Sequence, residues 1–596
     1  MKRPITLILI ITFLFFGCKE EGKNKEAMKN EPKLPFNDLV ENYYQEGLQL
    51  NPINATFTGD ERYNDQFVNT LDSTEINRLT SYYTKYKDAI ATYEDASLTE
   101  SEQMSKAILE WECNINLETY TFKNFEYFPI DQMWSVNLMM GQLASGEGAQ
   151  PFNTVGDYQK WTNRVSGYLQ WLDSAKKKME EGMKKGYVLP KSLIVKVLPQ
   201  LKEMTEPNLE QNLFYAPINN FPKDFSEEEK TELTNLYAGM ITKKVIPAYQ
   251  RVYDFMSTQY LTAGRSSSGI DAIPQGKEYY QHQIKLYTTT TMTAEEIHQL
   301  GLDEVARILA EMEKVKTQVG FKGDLKQFFD AVRSDKKLMP YKQSQQIIDH
   351  FYAIYDRMKP QLDVLFDKKP KTPFEVRQTE AFRENSASAE YNQGSLDGTR
   401  PGIFYVPIPS ATQYNVYSDE SLFLHEAIPG HHYQISLTQE NTDLPMFRKT
   451  LWYSGYGEGW ALYSESLGKE LGLYTDPYQY FGMLGAEMHR AIRLVVDTGL
   501  HAKGWTREQA IQYSLENEAE PEASIISEIE RYMANPGQAL SYKIGQLKIK
   551  ELREKAKTAL GDKFDIRQFH NQVLETGCVP LELLENKIDR WIENNK

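Results

Sequence analysis

Hydrophobic residues recur at helical spacing along most of the chain from Phe36 onward. The clearest stretch runs from Thr293 to about Val319, where Thr293 followed by Glu296 predicts a capping box at the helix start. Its recurrent apolar positions are Ile297, Leu300, Val305, Ile308, Leu309 and Met312. The same period predicts helices over residues 38–49, 75–95, 99–118, 157–185, 226–260, 343–367 and 580–594. The pattern therefore predicts a mostly α fold.

Strand signals are few, and the best of them is the run GIFYVP at Gly402–Pro407, which lies between a turn and a proline. We expect it to form a small strand element shortly before the histidine-rich segment described below. We find no fixed-period repeat, and no Ser/Gly-rich linker divides the body. Residues 36–596 are therefore interpreted as a single helical body, which allows two lobes meeting near residues 265–280.

The first eighteen residues, MKRPITLILIITFLFFGC, have the composition of an export signal. A positively charged pair precedes an apolar run of about a dozen residues, which is short for a membrane span. Gly17 followed by Cys18 resembles a bacterial lipobox, so residues 1–17 are predicted to be a signal peptide and Cys18 to be lipidated. The two bulky phenylalanines before Gly17 depart from the usual pattern, which leaves an uncleaved anchor or a plain secretory signal as the alternative.

The residues that follow Cys18 are predicted to form a lipidated flexible tether, 18–35. Residues 19–35 lack aromatic and β-branched side chains and so have nothing to bury in a core. The charged run Lys19-Glu20-Glu21 resembles the signal that sends lipoproteins of Bacteroidota to the outer face of the outer membrane. We therefore expect an outer-membrane lipoprotein of the cell envelope, with surface display and the periplasmic face both open.

Composition excludes several classes of protein. Hydrophobic residues make up 41% and aromatic residues 12% of the 596 positions, which excludes a wholly disordered chain. The formal net charge is −16 and no long basic run occurs, so no nucleic-acid partner is expected. The chain has 3 cysteines, too few for a disulfide scaffold or a multi-cysteine zinc or iron–sulfur site.

Three of the 9 histidines lie in the segment HEAIPGHH, at His425, His431 and His432. Zinc in catalytic sites is usually held by three protein ligands, and the short motif H-E-x-x-H places two histidines one helical turn apart. Here the second histidine comes six residues after the first, which is about 120° away on a straight helix. Pro429 and Gly430 favour a break that would return His431 to the same face. His432 regains that face about 10.5 Å further along a straight helix, and it stays the alternative ligand.

A second predicted helix, GYGEGWALYSESLG at 455–468, offers a third ligand. Glu458 follows His431 by 27 residues, and Glu465 lies seven residues later on the same helical face. Their apolar neighbours, Trp460 among them, predict that part of this helix is buried, and a buried carboxylate needs a partner. Either glutamate could bind a metal while the other orients a histidine.

Six longer motifs are specific enough to identify a resemblance: HEAIPGHHYQ, GEGWALYSE, HRAIRLVVDTGLH, NPGQALSYKIG, NPINATFTGDERYND and DGTRPGIFYVP. Together they resemble the bacterial lipoprotein family labelled domain of unknown function 885, over nearly all of residues 36–596. That family resembles gluzincin-type zinc metallopeptidases such as angiotensin-converting enzyme and the thimet oligopeptidases, which use H-E-x-G-H and a downstream glutamate. The pair Gly430-His431 matches the G-H of that motif and favours His431 over His432. The two-residue expansion through Pro429 departs from it.

The resemblance implies a mostly α, metallopeptidase-like body with one Zn²⁺ held by His425, His431 and Glu458. His432 and Glu465 are the alternative ligands. Glu426 would act as the general base in the hydrolysis of a peptide or related amide bond.

The resemblance also suggests residues that would contact the substrate. Tyr542 is the candidate donor to the oxyanion, because its order in the chain resembles that of the tyrosine in the angiotensin-converting enzyme plan, and His501 is the second candidate. Three arginines in the motif segments could bind a substrate carboxylate or could pair with acidic neighbours: Arg490, Arg493 and Arg531. The run Ile403–Val406, which contains Phe404 and Tyr405, could pair with the substrate backbone as an edge strand.

The expected function is therefore a zinc-dependent hydrolase of peptide bonds, either an oligopeptidase or a carboxypeptidase. Its expected contacts are a peptide substrate and the membrane, through a lipid on Cys18, and no partner protein is implied. Two alternatives stay open. One is a surface binding lipoprotein on a degenerate peptidase scaffold, and the other is a zinc amidase that acts on a non-peptide substrate.

Overall fold

The protein, described by a computed structural model over residues 34–146, 148–380, 384, 387–396 and 398–596, is predominantly helical with one small sheet. The prediction of a mostly α fold is confirmed. The predicted signal peptide 1–17, Cys18 and all of the tether 18–35 except its last two residues lie outside the described residues. Within the described part, no helix is both long enough and apolar enough to cross a membrane.

The helices of the first half of the chain lie between Phe36 and Leu365. They are α1 (Phe36–Leu50), α2 (Pro52–Phe57), α3 (Ser73–Ile90), α4 (Glu100–Thr119), α5 (Asn124–Tyr127), α6 (Val136–Ala144), α7 (Val155–Lys184), α8 (Lys191–Glu203), α9 (Ala216–Asn219), α10 (Glu227–Met240), α11 (Ile246–Phe255), α12 (Leu261–Ala263), α13 (Gly276–Thr288), α14 (Ala294–Gln318), α15 (Leu325–Ser334) and α16 (Ser344–Leu365).

The helices of the second half follow the sheet. They are α17 (Asp419–Glu426), α18 (His431–Glu440), α19 (Met446–Thr450), α20 (Ser454–Ser466), α21 (Pro477–Ala502), α22 (Arg507–Asn517), α23 (Glu522–Ala534), α24 (Ser541–Leu560), α25 (Ile566–Leu574) and α26 (Leu581–Asn595).

The predicted helices agree with the structure to within a few residues, and α14 shows why. The Thr293 hydroxyl accepts from the backbone N–H of Glu296 at 3.3 Å, and the Glu296 carboxylate accepts from the N–H of Thr293 at 2.8 Å. This is the predicted capping box. The buried positions of the helix include Ile297, Val305 and Ile308, as its period predicts. The region predicted as one helix over 226–260 differs, because π-helical turns at Ile241–Val245 and Met256–Tyr260 interrupt it.

The small sheet has three strands, β1 (Phe374–Gln378), β2 (Glu390–Asn392) and β3 (Gly402–Val406), in the order β1-β3-β2. β3 is the predicted strand and precedes α17, as expected. It pairs in parallel with β1, with Val376 opposite Phe404, and antiparallel with β2, with Tyr391 opposite Phe404. Both of its edges are therefore occupied, and the prediction that Ile403–Val406 offers an edge to a substrate is wrong.

Two clusters of buried apolar side chains form the core. One is built mainly by α6 to α11 and includes Trp161, Tyr168 and Tyr249. The other joins α1, α3 and α4 to most of the chain beyond Ile270. The chain passes between the clusters after Tyr260, close to the region where the sequence allows two lobes to meet. The interpretation of residues 36–596 as one body of two lobes stays a prediction.

Two helices of the second cluster, α20 and α24, approach each other at glycines. A Cβ on Gly459 would lie 2.5 Å from the Cα of Gly545. A Cβ on Gly545 would lie 1.8 Å from the carbonyl oxygen of Gly455. Backbone therefore meets backbone at this crossing, and any side chain would force the helices apart.

Gly545→Ala is expected to destabilise the protein, because overpacking a closely packed site typically costs about 1–3 kcal/mol. Urea unfolding monitored by circular dichroism would measure the change. Gly239→Ala is the matched control, since a Cβ on Gly239, also in a helix, meets nothing within 4 Å. The control should be neutral or stabilise by up to about 1 kcal/mol through helix propensity. Equal stabilities of the two variants would contradict the close crossing.

Candidate metal centre

The predicted break in the histidine segment is present. Helix α17 ends at Glu426, helix α18 begins at His431, and Ala427–Gly430 connects them. A Cβ on Gly430 would lie 1.9 Å from the carbonyl oxygen of His425, so the chain turns too tightly here for any other residue. The indole N–H of Trp460, which is buried in α20, donates to the carbonyl of Pro429 at 2.8 Å. This bond ties the break to the helix that carries Glu458.

The break brings the side chains of His425, His431 and Glu458 together. The Glu458 Oε2 atom lies 3.6 Å from His425 Nε2 and 3.5 Å from His431 Nε2. The three ligand atoms all lie within 4.8 Å of one another. Two imidazole nitrogens and one carboxylate oxygen are a usual donor set of catalytic zinc, which leaves a further position open. The residues present therefore fit a zinc ion.

Glu465 lies behind His425 rather than among the ligand atoms. Its carboxylate accepts from His425 Nδ1 at 2.7 Å and from the hydroxyl of Ser421 at 2.6 Å. A proton on Nδ1 leaves Nε2 of the neutral ring as an acceptor that faces His431 and Glu458, the arrangement typical of a metal-binding histidine. The structure thus gives the two glutamates the two roles that the sequence left open, with Glu458 at the cluster and Glu465 orienting the ring.

His432, the alternative ligand, is turned away from this cluster. Its Nδ1 atom lies 3.0 Å from the hydroxyl of Tyr391 in β2, and its ring packs against Phe374 in β1. Neighbouring residues on a helix point about 100° apart, so His431 and His432 cannot both face His425. Burial lowers the pKa of His432 to about 4. His432 is therefore corrected to a neutral side chain packed on the sheet.

Charges within the cluster are strongly coupled. Burial lowers the pKa of His425, but the carboxylates of Glu458 and Glu465 outweigh it and raise that pKa to about 9, so a metal ion would have to displace a proton from Nε2 to bind the neutral ring. Burial raises the pKa of Glu458, but His425 and His431 outweigh it, so that the pKa lies well below its usual value. Glu458 is consequently ionised, as a metal ligand must be. The neighbouring Glu426 has its pKa raised, chiefly by burial.

The cluster opens into a cavity of about 1030 Å³, here called the metal cavity. Its lining brings together Glu426, Tyr542 and the three predicted arginines with His425, His431 and Glu458. The segment 387–391, which leads into β2, forms part of the wall, so β2 rather than β3 borders the cavity. The sequence did not predict β2, because a strand of three residues is too short to show an alternating pattern.

The three arginines line the metal cavity together with Glu528, and two of them bind its carboxylate. The Glu528 carboxylate accepts from Arg493 at 2.9 Å and from Arg531 at 3.1 Å. The predicted pairing with acidic neighbours is therefore present for these two. Three of their donors still lack a hydrogen-bond partner among the described residues: Arg490 Nε, Arg493 Nη1 and Arg531 Nε. The Tyr542 ring lies 4.5 Å from the guanidinium of Arg493.

His489 lies beside Arg493 and was not predicted as a site residue, although it opens the motif HRAIRLVVDTGLH. Its Nδ1 lies 2.6 Å from Glu518, and its Nε2 lies 3.2 Å from the guanidinium of Arg493. Burial lowers the pKa of His489, but the carboxylate of Glu518 outweighs it and raises the pKa. Its position one residue before Arg490 was the available clue.

Three predicted site residues lie away from the lining of the metal cavity. His501 is fully buried, its Nδ1 accepts from the N–H of Ile270 at 3.0 Å, and its Nε2 donates to the carbonyl of Tyr532 at 3.0 Å. With both nitrogens used, His501 cannot donate to an oxyanion, and burial lowers its pKa to about 3. Phe404 is fully buried against Phe351, and Tyr405 is half-buried on the paired central strand. All three are corrected to structural positions.

Comparisons with known proteins agree with this fold. A family model for bacterial proteins of unknown function, DUF885, matches residues 52–588. A candidate lipoprotein from Colwellia psychrerythraea is similar with a TM-score of 0.84 and 29% identity, covering 94% of this chain and 99% of that one. A candidate lipoprotein of unknown function from Shewanella oneidensis shares the fold, with a TM-score of 0.74 and 18% identity over 93% and 99% of the chains. No curated protein matches the chain.

His431→Ala is expected to cost most of the bound zinc, because it removes one of three ligands, whereas His432→Ala should retain it. The two variants are matched, since they change adjacent residues of one helix by the same atoms. Elemental analysis after dialysis should find about one zinc per chain in the native protein, the number of ions that one three-ligand site holds. Loss of zinc from His432→Ala, with retention in His431→Ala, would contradict the ligand assignment.

Proposed function

We propose that this chain, which belongs to the DUF885 family of bacterial proteins of unknown function, is a zinc-dependent hydrolase of peptide bonds. One observation carries the proposal. The ligand atoms of His425, His431 and Glu458 lie within 4.8 Å of one another at the wall of a cavity that Glu426 also lines. Two imidazoles, a carboxylate and a neighbouring glutamate are the parts that metal-assisted hydrolysis requires.

The order of these residues supports a gluzincin-like plan. A histidine followed by a glutamate, a later Gly-His pair and a glutamate on a second helix occur in that order here. The break at Ala427–Gly430 absorbs the two extra residues that separate this segment from H-E-x-G-H. The expanded spacing is therefore compatible with the same ligand set.

Glu426 is proposed as the general base. A zinc ion at the cluster would supply Lewis acidity, which polarises a carbonyl and lowers the pKa of water. Glu426 follows the first histidine at the last position of α17 and borders the same cavity. Its carboxylate would take a proton from the attacking water and return it to the leaving amine.

Tyr542 is proposed as the donor that stabilises the oxyanion. It lies near the start of α24 and borders the metal cavity, where its ring packs on Arg493. That contact fixes the plane of the ring and hence the direction of its hydroxyl. The burial of His501, the other candidate, leaves Tyr542 as the preferred residue.

The arginines on the wall of the metal cavity support recognition of a substrate carboxylate. Arg490, Arg493 and Arg531 border the cavity together, and Glu528 is the carboxylate bonded to two of them. Donors that lack a partner are costly when buried, and a carboxylate beside them would offset that cost. A peptide C-terminus has this chemistry, which favours a carboxypeptidase or an oligopeptidase that acts near the C-terminal end.

The cell envelope is the proposed location. The similar Colwellia protein is described as a candidate lipoprotein, and this chain carries Gly17-Cys18 after an apolar run. Acyl chains on Cys18 would anchor the protein, each buried CH₂ group contributing about 0.8 kcal/mol. The outer membrane is the expected bilayer, on the evidence of the charged residues that follow Cys18.

Glu426→Gln is expected to abolish peptide hydrolysis while zinc stays bound, because it removes the proton acceptor but no ligand. The measurement is digestion of a broad peptide library followed by mass spectrometry, with zinc analysis of the same samples. Chelation of the native protein should have the same effect on hydrolysis. Undiminished cleavage by Glu426→Gln would refute the role of Glu426. A native protein that binds zinc and cleaves no peptide would point to a binding protein or to a non-peptide amide substrate.

Tyr542→Phe should lower turnover by about 100–1000-fold, the usual cost of one oxyanion donor, with zinc content and stability unchanged. Steady-state kinetics on the best library peptide would measure it. Tyr513→Phe is the control, because Tyr513 is also half-buried but is not part of the cavity lining. A loss below about tenfold for Tyr542→Phe would assign the donor elsewhere.

A further inference from the structure

Trp452 occupies an unusual position next to the metal cavity. It lies in the short connection between α19 and α20, and 46% of its surface is exposed. It borders the metal cavity and two smaller cavities of about 430 Å³ and 400 Å³. A substrate that extends from the metal cavity into either neighbour would therefore pass this indole.

The indole is held at a fixed place relative to the metal ligands. A Cβ on Gly457 would lie 2.1 Å from the ring of Trp452, so the ring rests directly on the backbone of Gly457. Gly457 immediately precedes Glu458. The ring centroid of Trp452 also lies 5.9 Å from that of His431. The indole thus packs against one proposed ligand and against the residue that precedes another, close to where a bond must lie to be hydrolysed.

The smaller cavities carry further exposed apolar side chains. Trp134, 57% exposed, borders the 430 Å³ cavity. Phe57 and Leu396, each 41% exposed, border the 400 Å³ cavity. Large apolar side chains gathered at cavities that share a lining residue favour a binding surface, whereas isolated ones do not. These residues come from distant parts of the chain, so the concentration is a property of the folded site.

On the basis of the proposed function, we infer that Trp452 determines substrate specificity. Its indole packs against an aromatic or large aliphatic side chain next to the cleaved bond. The adjoining cavities hold the residues beyond it. The preferred substrate is a peptide with such a residue on one side of the cleaved bond. An aromatic ring favours this partner, because stacked or edge-on ring contacts add to the burial of apolar surface.

The test uses the full zinc-loaded protein and two series of peptides that vary the residue on either side of the cleaved bond among Phe, Leu, Ala and Lys. The native protein should prefer Phe or Leu over Ala at one of these positions, measured as a ratio of kcat/KM. In Trp452→Ala that ratio should fall by about tenfold or more, since even one methylene more or less in an apolar pocket changes selectivity by about 10–200-fold. Trp452→Phe should largely restore it.

Val195→Ala is the control, because Val195 is equally exposed, at 46%, and lies on α8 away from these cavities. It should leave both rate and selectivity unchanged. The inference is overturned if Trp452→Ala cleaves peptides with the native preference, or if the native protein prefers Lys at both positions. Failure of the proposed function looks different, since the native protein would then cleave none of the peptides.

Discussion

The hydrogen bond from the Trp460 indole to the carbonyl of Pro429 connects the two halves of the candidate site. On one side of it, the break at Ala427–Gly430 returns His431 to the face of His425. On the other, α20 presents Glu458 two residues before the indole. A continuous helix would leave the two histidines about 120° and about 9 Å apart, so they would not face Glu458 from the same side. The grouping of His425, His431 and Glu458 therefore depends on this local departure from regular helix.

Much of this arrangement could be predicted because its signals are local. The period of apolar positions and the Thr293–Glu296 box define α14, and Pro429 with Gly430 indicates the break. Features that depend on contacts between distant parts of the chain could not be predicted from local signals. The position of β3 at the centre of the sheet depends on pairing with two strands that have little pattern of their own. Likewise, the burial of His501 results from packing against Ile270 and Tyr532, which are remote in sequence.

The choice between Glu458 and Glu465 shows the limit most clearly. Both glutamates lie on one face of α20, two turns apart, so from the sequence either could be the metal ligand and either could orient a histidine. The structure separates them because α17 crosses α20 so that Nδ1 of His425 faces Glu465 and Nε2 faces Glu458. One imidazole thus serves both carboxylates. Trp452 was equally hidden, since its importance comes from three cavities that only the folded chain creates.

The glycine crossing of α20 and α24 has a consequence for how this site could diversify. Glu458 lies on one of these helices, one residue from Gly459, and Tyr542 lies on the other, three residues from Gly545. Backbone contact therefore sets the spacing between the proposed ligand and the proposed donor, independent of the side chains elsewhere in the cavity. Helix α23 supplies much of the remaining wall with small residues such as Ala523, Ser524 and Ser527. Evolution or an engineer could exchange these to reshape that wall while Glu458 and Tyr542 keep their spacing, so that the fit to a substrate could change without moving either group.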